Sequence, residues 1–157
     1  MRKAKAVDID LESLPGYYVR RMQQIAVAIF LEETGAFGVT PVQFAALQAV
    51  RRQPGLDQRT LAASIGLDTS TIAGVLDRLE RRELIQRSSS PDDRRVRLLT
   101  VTPAAEGLLD GLVPHMLRAQ QRMLAPLPAA DRPRFMAMLK TLVSANNELS
   151  RAPSEAQ

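Results

Sequence analysis

The eight residues Ser90-Pro91-Asp92-Asp93-Arg94-Arg95-Val96-Arg97 gather three guanidiniums and two carboxylates around a turn-forming Ser-Pro-Asp segment. Arginine forks suit bidentate contact with phosphates and guanine edges, so the chemistry on offer is recognition of a polyanion. Apolar runs flank the segment, Leu84-Ile85 before it and Val96 to Val101 after it. This is the pattern of a β-hairpin with a basic tip. Asp93 stands two residues before Arg95, close enough to brace one guanidinium while the loop projects it. A projecting arginine is what a narrow, electronegative minor groove attracts. Taken alone, the same residues also fit a solvated turn with a weak local ion pair.

Upstream lies a second cluster. Asp68 can cap a helix running to about Arg82, with Ile72, Val75, Leu76 and Leu79 on one face. The other face carries Thr69, Ser70, Thr71, Ala73 and Gly74, small or polar for nearly two turns, and then Arg78, Arg81 and Arg82 where a phosphate backbone would pass. Short side chains let a helix backbone approach base edges in a major groove. An ordinary surface helix would seldom place two Thr, one Ser and one Gly on its exposed N-terminal half. A shorter helix precedes it, capped by Asp57 and stopped by Gly66. The two helices have the spacing of a helix-turn-helix, and with the basic hairpin they form a winged helix.

Charge placement agrees. Residues 51–97 hold ten arginines against seven acidic residues, a net of +3, while the rest of the chain carries +1. Cysteine is absent, which removes disulfides, thiolate metal sites and thiol redox sensing. A single histidine, His115, makes a histidine metal site improbable, and neither a metal nor another cofactor is expected. No phosphate loop, nucleophile–base pair or carboxylate pair appears, so the chain is not expected to be an enzyme. The 45% hydrophobic and 24% charged residues are those of a globular protein. With no run of about 18 apolar residues and no apolar stretch behind Arg2, Lys3 and Lys5, neither a membrane span nor a signal peptide is expected. The expected location is the cytoplasm.

The elements that must position these clusters follow from periodicity. Tyr18, Met22, Ile25 and Ile29 make one stripe on a first helix from Ser13 to about Thr34. Thr40-Pro41 starts a second, with Val42, Phe44, Ala45, Leu47 and Val50 on it. Thr102-Pro103 starts a long helix to about Leu124, with Leu108, Leu109, Leu112, Met116, Leu117 and Leu124 on its apolar side and a kink expected at Pro114. A last helix carries Phe135, Met138, Leu139, Leu142 and Val143, and the chain from Arg151 onward is expected to be disordered. The expected fold is mainly α. Residues 40–101 form a winged helix-turn-helix lobe with its own core. Residues 1–39 and 102–150 supply helices whose stripes have no partner in one chain and pair in an intertwined homodimer.

Leu61-Ala62 with Ile65-Gly66-Leu67, the Ile72–Leu79 helix, the Asp93-Arg94-Arg95 tip and the strand into Thr102-Pro103-Ala104-Ala105-Glu106-Gly107 together resemble the MarR (multiple antibiotic resistance regulator) family of winged-helix transcription regulators. The resemblance spans about residues 10–150 and is most specific from the tip to Gly107. It implies a triangular homodimer that binds a pseudo-palindromic operator in double-stranded DNA, represses a neighbouring operon, and is released by a small aromatic carboxylate. Carried over by position, Thr69, Ser70, Thr71 and Ala73 contact bases and Arg78 the backbone. Arg95 enters the minor groove with Arg94 beside it and Asp93 as its brace. The peroxide-sensing branch needs a cysteine that this chain lacks. Overall similarity points to members controlling hydroxybenzoate or hydroxynicotinate catabolism.

The resemblance places an effector between the dimer helices and the DNA-binding lobe. Arg20 beside Tyr17 and Tyr18 could supply a guanidinium and flat walls; equally, the tyrosines could pack in the dimer while Arg20 and Arg21 stay solvated. His115, next to Pro114, is either a ligand or pH-sensing group or a hydrogen-bonded filler. The rival from another class is a winged helix used to dock a protein, with its basic face solvated. Sequence-specific, salt-dependent duplex binding separates the two.

Overall fold

The computed structural model describes residues 8–150. The tail from Arg151, and Arg2, Lys3 and Lys5, lie outside the described residues. Six α-helices and three short strands follow in the order α1 (Pro15–Thr34), α2 (Pro41–Arg52), β1 (Leu56–Asp57), α3 (Gln58–Ser64), α4 (Thr69–Arg81), β2 (Ile85–Ser89), β3 (Arg97–Val101), α5 (Pro103–Leu124) and α6 (Arg132–Ala145). This is the expected mainly α winged-helix architecture with one addition. The two-residue β1 pairs with β3 opposite Leu98 and Leu99, making a three-stranded antiparallel sheet in the order β1-β3-β2.

Side-chain caps set most helix starts. The Thr40 hydroxyl accepts from the Gln43 amide at 3.2 Å while the Gln43 side chain accepts from the Thr40 amide at 3.1 Å, a reciprocal capping box. Asp57 accepts from Thr60 N at 2.8 Å, Asp68 from Thr71 N at 2.8 Å and Thr102 from Ala105 N at 3.2 Å. Gly66, at φ +66°, makes the turn between α3 and α4 in a conformation that costs a side-chain-bearing residue energy.

The core gathers Leu47 and Val50 of α2, Leu61 of α3, the four apolar residues of α4, Ile85 and Leu99 of the sheet, and Ala105 and Leu109 of α5. Residues 40–101 therefore do not close a core by themselves: the first two turns of α5 complete it. The C-terminal half of α1 is also partnered within the chain. It packs along α5, with Phe30 and Thr34 buried and the Phe30 ring 6.2 Å from that of Phe44. Towards the other end of α1 the expected stripe is only partly covered, with Tyr18 and Ile25 exposed and Met22 half-buried, and Val19 beside it is exposed as well. Helix α6 buries none of its residues, and Met136, Met138, Leu142 and Val143 are exposed. Helix α5 continues unbroken through Pro114, whose nitrogen cannot donate to the Asp110 carbonyl. Gly111 lets the same helix approach Phe37, because a Cβ there would sit 3.1 Å from the ring.

One backbone feature is unfavourable. Glu83, in the turn between α4 and β2, has φ +56°, the only positive φ at a non-glycine among the described residues. That conformation costs a residue with a Cβ roughly 1–2 kcal/mol, and the turn holds it because the Glu83 carbonyl accepts from the Thr102 hydroxyl at 2.7 Å. Glu83→Gly is expected to raise the melting temperature by about 1–4 °C, and Glu83→Ala to give no such gain. Thermal denaturation of the two variants decides whether the turn is strained; equal melting temperatures would show that it is not.

Candidate nucleic-acid interface

Burial fixes how α4 faces. Ile72, Val75, Leu76 and Leu79 are buried, which leaves Thr69, Ser70, Thr71 and Arg78 exposed and Ala73 and Gly74 half-exposed. The N-terminal turn is rigidly organised. The Asp68 carboxylate accepts from the hydroxyls of Ser70 at 2.5 Å and Thr71 at 2.7 Å as well as from the Thr71 amide. These three bonds hold the Asp68 carboxyl well below the usual carboxylate range, the Ser70 bond contributing most. With their protons committed to Asp68, Ser70 and Thr71 present oxygen lone pairs outward, suited to accept from amino groups on base edges.

The hairpin carries a basic tip, as its sequence suggested. Strands β2 and β3 pair from Ile85 opposite Val101 to Ser89 opposite Arg97. The loop closes through Ser90 N to Val96 O and Val96 N to Asp93 O, both 2.9 Å, which puts Arg94 and Arg95 at the centre of a four-residue turn. The Asp93 carboxylate accepts from the Arg95 amide at 2.9 Å and lies 3.5 Å from its guanidinium. The Arg95 side chain is nonetheless 95% exposed, so the pair aims the side chain without sequestering it.

Two arginines serve to hold elements together. Arg82, expected to follow the phosphate backbone, stays at the surface but is committed within the chain. Its guanidinium donates to the Gly38 carbonyl at 2.7 Å and the Phe37 carbonyl at 3.4 Å, tying the end of α4 to the turn between α1 and α2. Arg87 on β2 pairs with Asp77 at 2.8 Å and Glu80 at 3.2 Å, both on α4. It locks the helix to the hairpin. Arg78 has no ion pair among the described residues and lies back along α4 over Gly74.

Of the four residues expected to hold an effector, three meet within the chain and His115 does not. Tyr17, Tyr18 and Arg20 cluster at the exposed start of α1: the tyrosine rings are edge to face at 5.2 Å, and the Arg20 guanidinium is 5.8 Å from the Tyr17 ring. The Tyr17 hydroxyl accepts from Arg21 at 3.0 Å, which holds the Arg21 guanidinium above its usual range. His115 sits at the far end. Its Nδ1 donates to the Glu33 carbonyl at 2.9 Å and its ring packs edge-on against Phe37 at 5.2 Å. Sixteen residues of helix separate Glu33 from Tyr17, about 24 Å at 1.5 Å per residue. His115 acts in this chain as a fastener between α5 and the end of α1. Beside it Arg122 bridges Glu32 at 2.7 Å and Glu33 at 2.9 Å, and the bond from Arg122 keeps the Glu33 carboxyl below its ordinary range.

Comparison with known proteins places this arrangement. The MarR family profile matches residues 39–96. A putative transcriptional regulatory protein for the hcr operon of Thauera aromatica is 35% identical over 134 residues, covering 85% of this chain and 81% of that protein. The chain belongs to the MarR family. Among solved structures, the transcriptional regulator PcaV of Streptomyces coelicolor, in complex with its natural ligand, superposes on this family member with a TM-score of 0.82 at 35% identity, over 88% of this chain and 98% of the other. BpsR of Bordetella bronchiseptica, whose DNA binding is regulated by 6-hydroxynicotinic acid, superposes with a TM-score of 0.82 at 29% identity, over 87% and 97% of the two chains.

Two expectations follow from this geometry. Each lost phosphate contact reduces the slope of log affinity against log salt by about 0.9. Arg78→Ala and Arg95→Ala are therefore expected to weaken duplex binding and flatten that slope, whereas Arg82→Ala should weaken binding with the slope unchanged. A flattened slope in Arg82→Ala would mean that it touches DNA after all. The second concerns acid. Because folding depresses the Asp68 pKa, its contribution to stability is full above about pH 4 and is lost as pH falls below that value. Asn also caps helices but carries no charge, so wild type should exceed Asp68→Asn in denaturant midpoint at pH 7, with the gap shrinking steadily as pH falls below about 4. A gap independent of pH would contradict the assignment.

Proposed function

We propose that this MarR-family protein is a homodimeric repressor that binds a pseudo-palindromic operator and is released by a small aromatic carboxylate. The observation that carries the DNA-binding part is the α4 face. A buried apolar stripe anchors the helix while small polar residues stand exposed at its N-terminal end, and Arg94 and Arg95 project from the neighbouring hairpin. Thr69, Ser70, Thr71 and Ala73 read base edges in the major groove, and Arg78 meets the backbone. Arg95 enters the minor groove with Arg94 beside it, aimed by Asp93.

The dimer is supported by the apolar residues left bare on α1, α5 and α6, including Tyr18, Val19, Leu117, Met138, Leu142 and Val143. Covering them is the hydrophobic drive for a second copy. In this reading residues 1–39 and 102–150 form the dimer base and 40–101 the DNA-binding lobe, with the start of α5 shared between them. The protein works in the cytoplasm, and no catalytic step is assigned to it. No single helix among the described residues is long and apolar enough to cross a membrane.

An aromatic acid as effector is supported by the regulation of BpsR by 6-hydroxynicotinic acid. On this chain, Arg20 supplies the counter-charge and Tyr17 and Tyr18 the flat walls, in a cluster that the partner chain covers. His115, held by Glu33 and Phe37, acts on that site through the α1–α5 packing. Release is a population shift: the bound acid favours a lobe spacing that no longer matches successive major grooves.

Fluorescence anisotropy on duplexes from the chain's own upstream region, with competitor DNA and then a panel of aromatic carboxylates, tests the proposal. Tight specific binding reversed by one acid is expected, and Arg20→Ala should bind the duplex normally yet resist release. Weak binding erased by salt at every sequence would refute operator recognition and favour a protein-docking role for the winged helix. Normal release of Arg20→Ala would remove that residue from the effector site.

A further inference from the structure

The three hydroxyls at the start of α4 are not equivalent, and the difference decides which base edges they can read. Ser70 and Thr71 each donate their one hydroxyl proton to Asp68, at 2.5 Å to Oδ1 and 2.7 Å to Oδ2. The same Oδ1 accepts from the Thr71 amide at 2.8 Å. Both side chains are exposed, so what their hydroxyls turn outward is lone pairs alone. The Thr69 hydroxyl makes no hydrogen bond among the described residues and can rotate to donate or to accept.

Every base pair shows the major groove one exocyclic amino group, on adenine or cytosine, and one carbonyl opposite it, on thymine or guanine. A hydroxyl held as an acceptor therefore tells the two strands of a pair apart. It accepts from adenine N6 or cytosine N4 and finds no donor on thymine or guanine. To meet either of those the hydroxyl must turn its proton outward. That breaks a hydrogen bond to a carboxylate, a loss of about tenfold or more in affinity.

We propose that Asp68 is a positioning residue that sets base specificity: it holds Ser70 and Thr71 as acceptors, so that each selects an amino-bearing base, adenine or cytosine, on the strand it contacts. The inference rests on the operator-binding reading above and names the class of base that the α4 face selects. Replacing one carboxylate oxygen by an amide nitrogen separates the two hydroxyls. In Asp68→Asn the Thr71 amide still needs an acceptor, which keeps the carboxamide oxygen at the Oδ1 position, where it also receives the Ser70 proton. The carboxamide nitrogen then stands at the Oδ2 position and donates to Thr71 Oγ1, which turns the Thr71 proton outward. Thr71 becomes a donor, and Ser70 stays an acceptor.

The test uses the full-length protein to select from a pool of randomised duplexes, and the enriched sequences give the base preference at each position. Ser70→Ala and Thr71→Val identify the two contacted positions by relaxing them. At both, wild type is expected to take adenine or cytosine over thymine or guanine on one strand. Asp68→Asn should reverse that preference at the Thr71 position and keep it at the Ser70 position, an outcome that a general loosening of the helix start does not produce. A second measurement needs no variant. In an enriched duplex with adenine at either position, 2-aminopurine in its place still pairs with thymine but carries its amino group in the minor groove. Wild type should bind that duplex about fivefold more weakly, the loss of one neutral hydrogen bond. The proposal is overturned, with operator recognition left standing, by any of four results: no position relaxed by Ser70→Ala and Thr71→Val, thymine or guanine preferred there by wild type, an unaltered Thr71 preference in Asp68→Asn, or undiminished binding to the 2-aminopurine duplex. Enrichment of no sequence at all would remove operator recognition and this inference together.

Discussion

The structure depends on a single apolar stripe. Ile72, Val75, Leu76 and Leu79 are each worth about 1.5–3 kcal/mol when withdrawn from water, and together they pin α4 against α2, α3 and the sheet. Once those four are buried, the helix has no rotational freedom, and every other position on it is assigned to solvent or to a neighbour. The exposed Thr69-Ser70-Thr71 end and the tie from Arg82 to the Gly38 carbonyl are both consequences. The hairpin then inherits its place from the same core through Ile85 and Leu99, and Arg87 fixes it to α4 through Asp77 and Glu80. The face offered to DNA is therefore one packed unit of helix and hairpin, with the arginines of the tip standing exposed beyond it.

The division of labour among arginines follows from local electrostatics. Arg95 keeps its charge available because its one carboxylate partner is exposed and distant enough to be screened. Arg82 and Arg87 have exchanged availability for hydrogen bonds that hold elements together. Arg122 and His115 do the same where α5 meets α1. A chain of contacts therefore runs from the end of α4 through Arg82 to the Phe37–Gly38 turn, on to His115 and then to Glu33. It joins the end of α4, contact by contact, to the packing of α1 on α5.

Much of this was legible in the sequence because it is local. Thr40, Asp57, Asp68 and Thr102 cap helices by contacts within three residues, and the stripe on α4 is a period that any reader of the chain can count. The misses are long-range. Strand β1 has only two residues, and nothing around Leu56 announces a strand until Leu99 is placed beside it. An arginine looks the same in sequence whether it reaches for a phosphate or for the Gly38 carbonyl 44 positions away. Glu83 gives no sign of a positive φ, since that conformation is imposed by the Thr102 hydroxyl 19 residues on. His115 and Tyr17 were grouped by chemistry, but the pairing of His115 with Glu33 across 82 residues sets them at opposite ends of α1.

In the proposed complex, two copies of α4 and its hairpin read one duplex together. Footprinting tests it most directly, with dimethyl sulfate reporting major-groove contacts and hydroxyl radicals the backbone and minor groove. Two protected major-groove patches are expected about 10 base pairs apart, centre to centre, each flanked by a minor-groove protection that disappears in Arg95→Ala while the major-groove patches persist. A single patch, or minor-groove protection unchanged by Arg95→Ala, would contradict it.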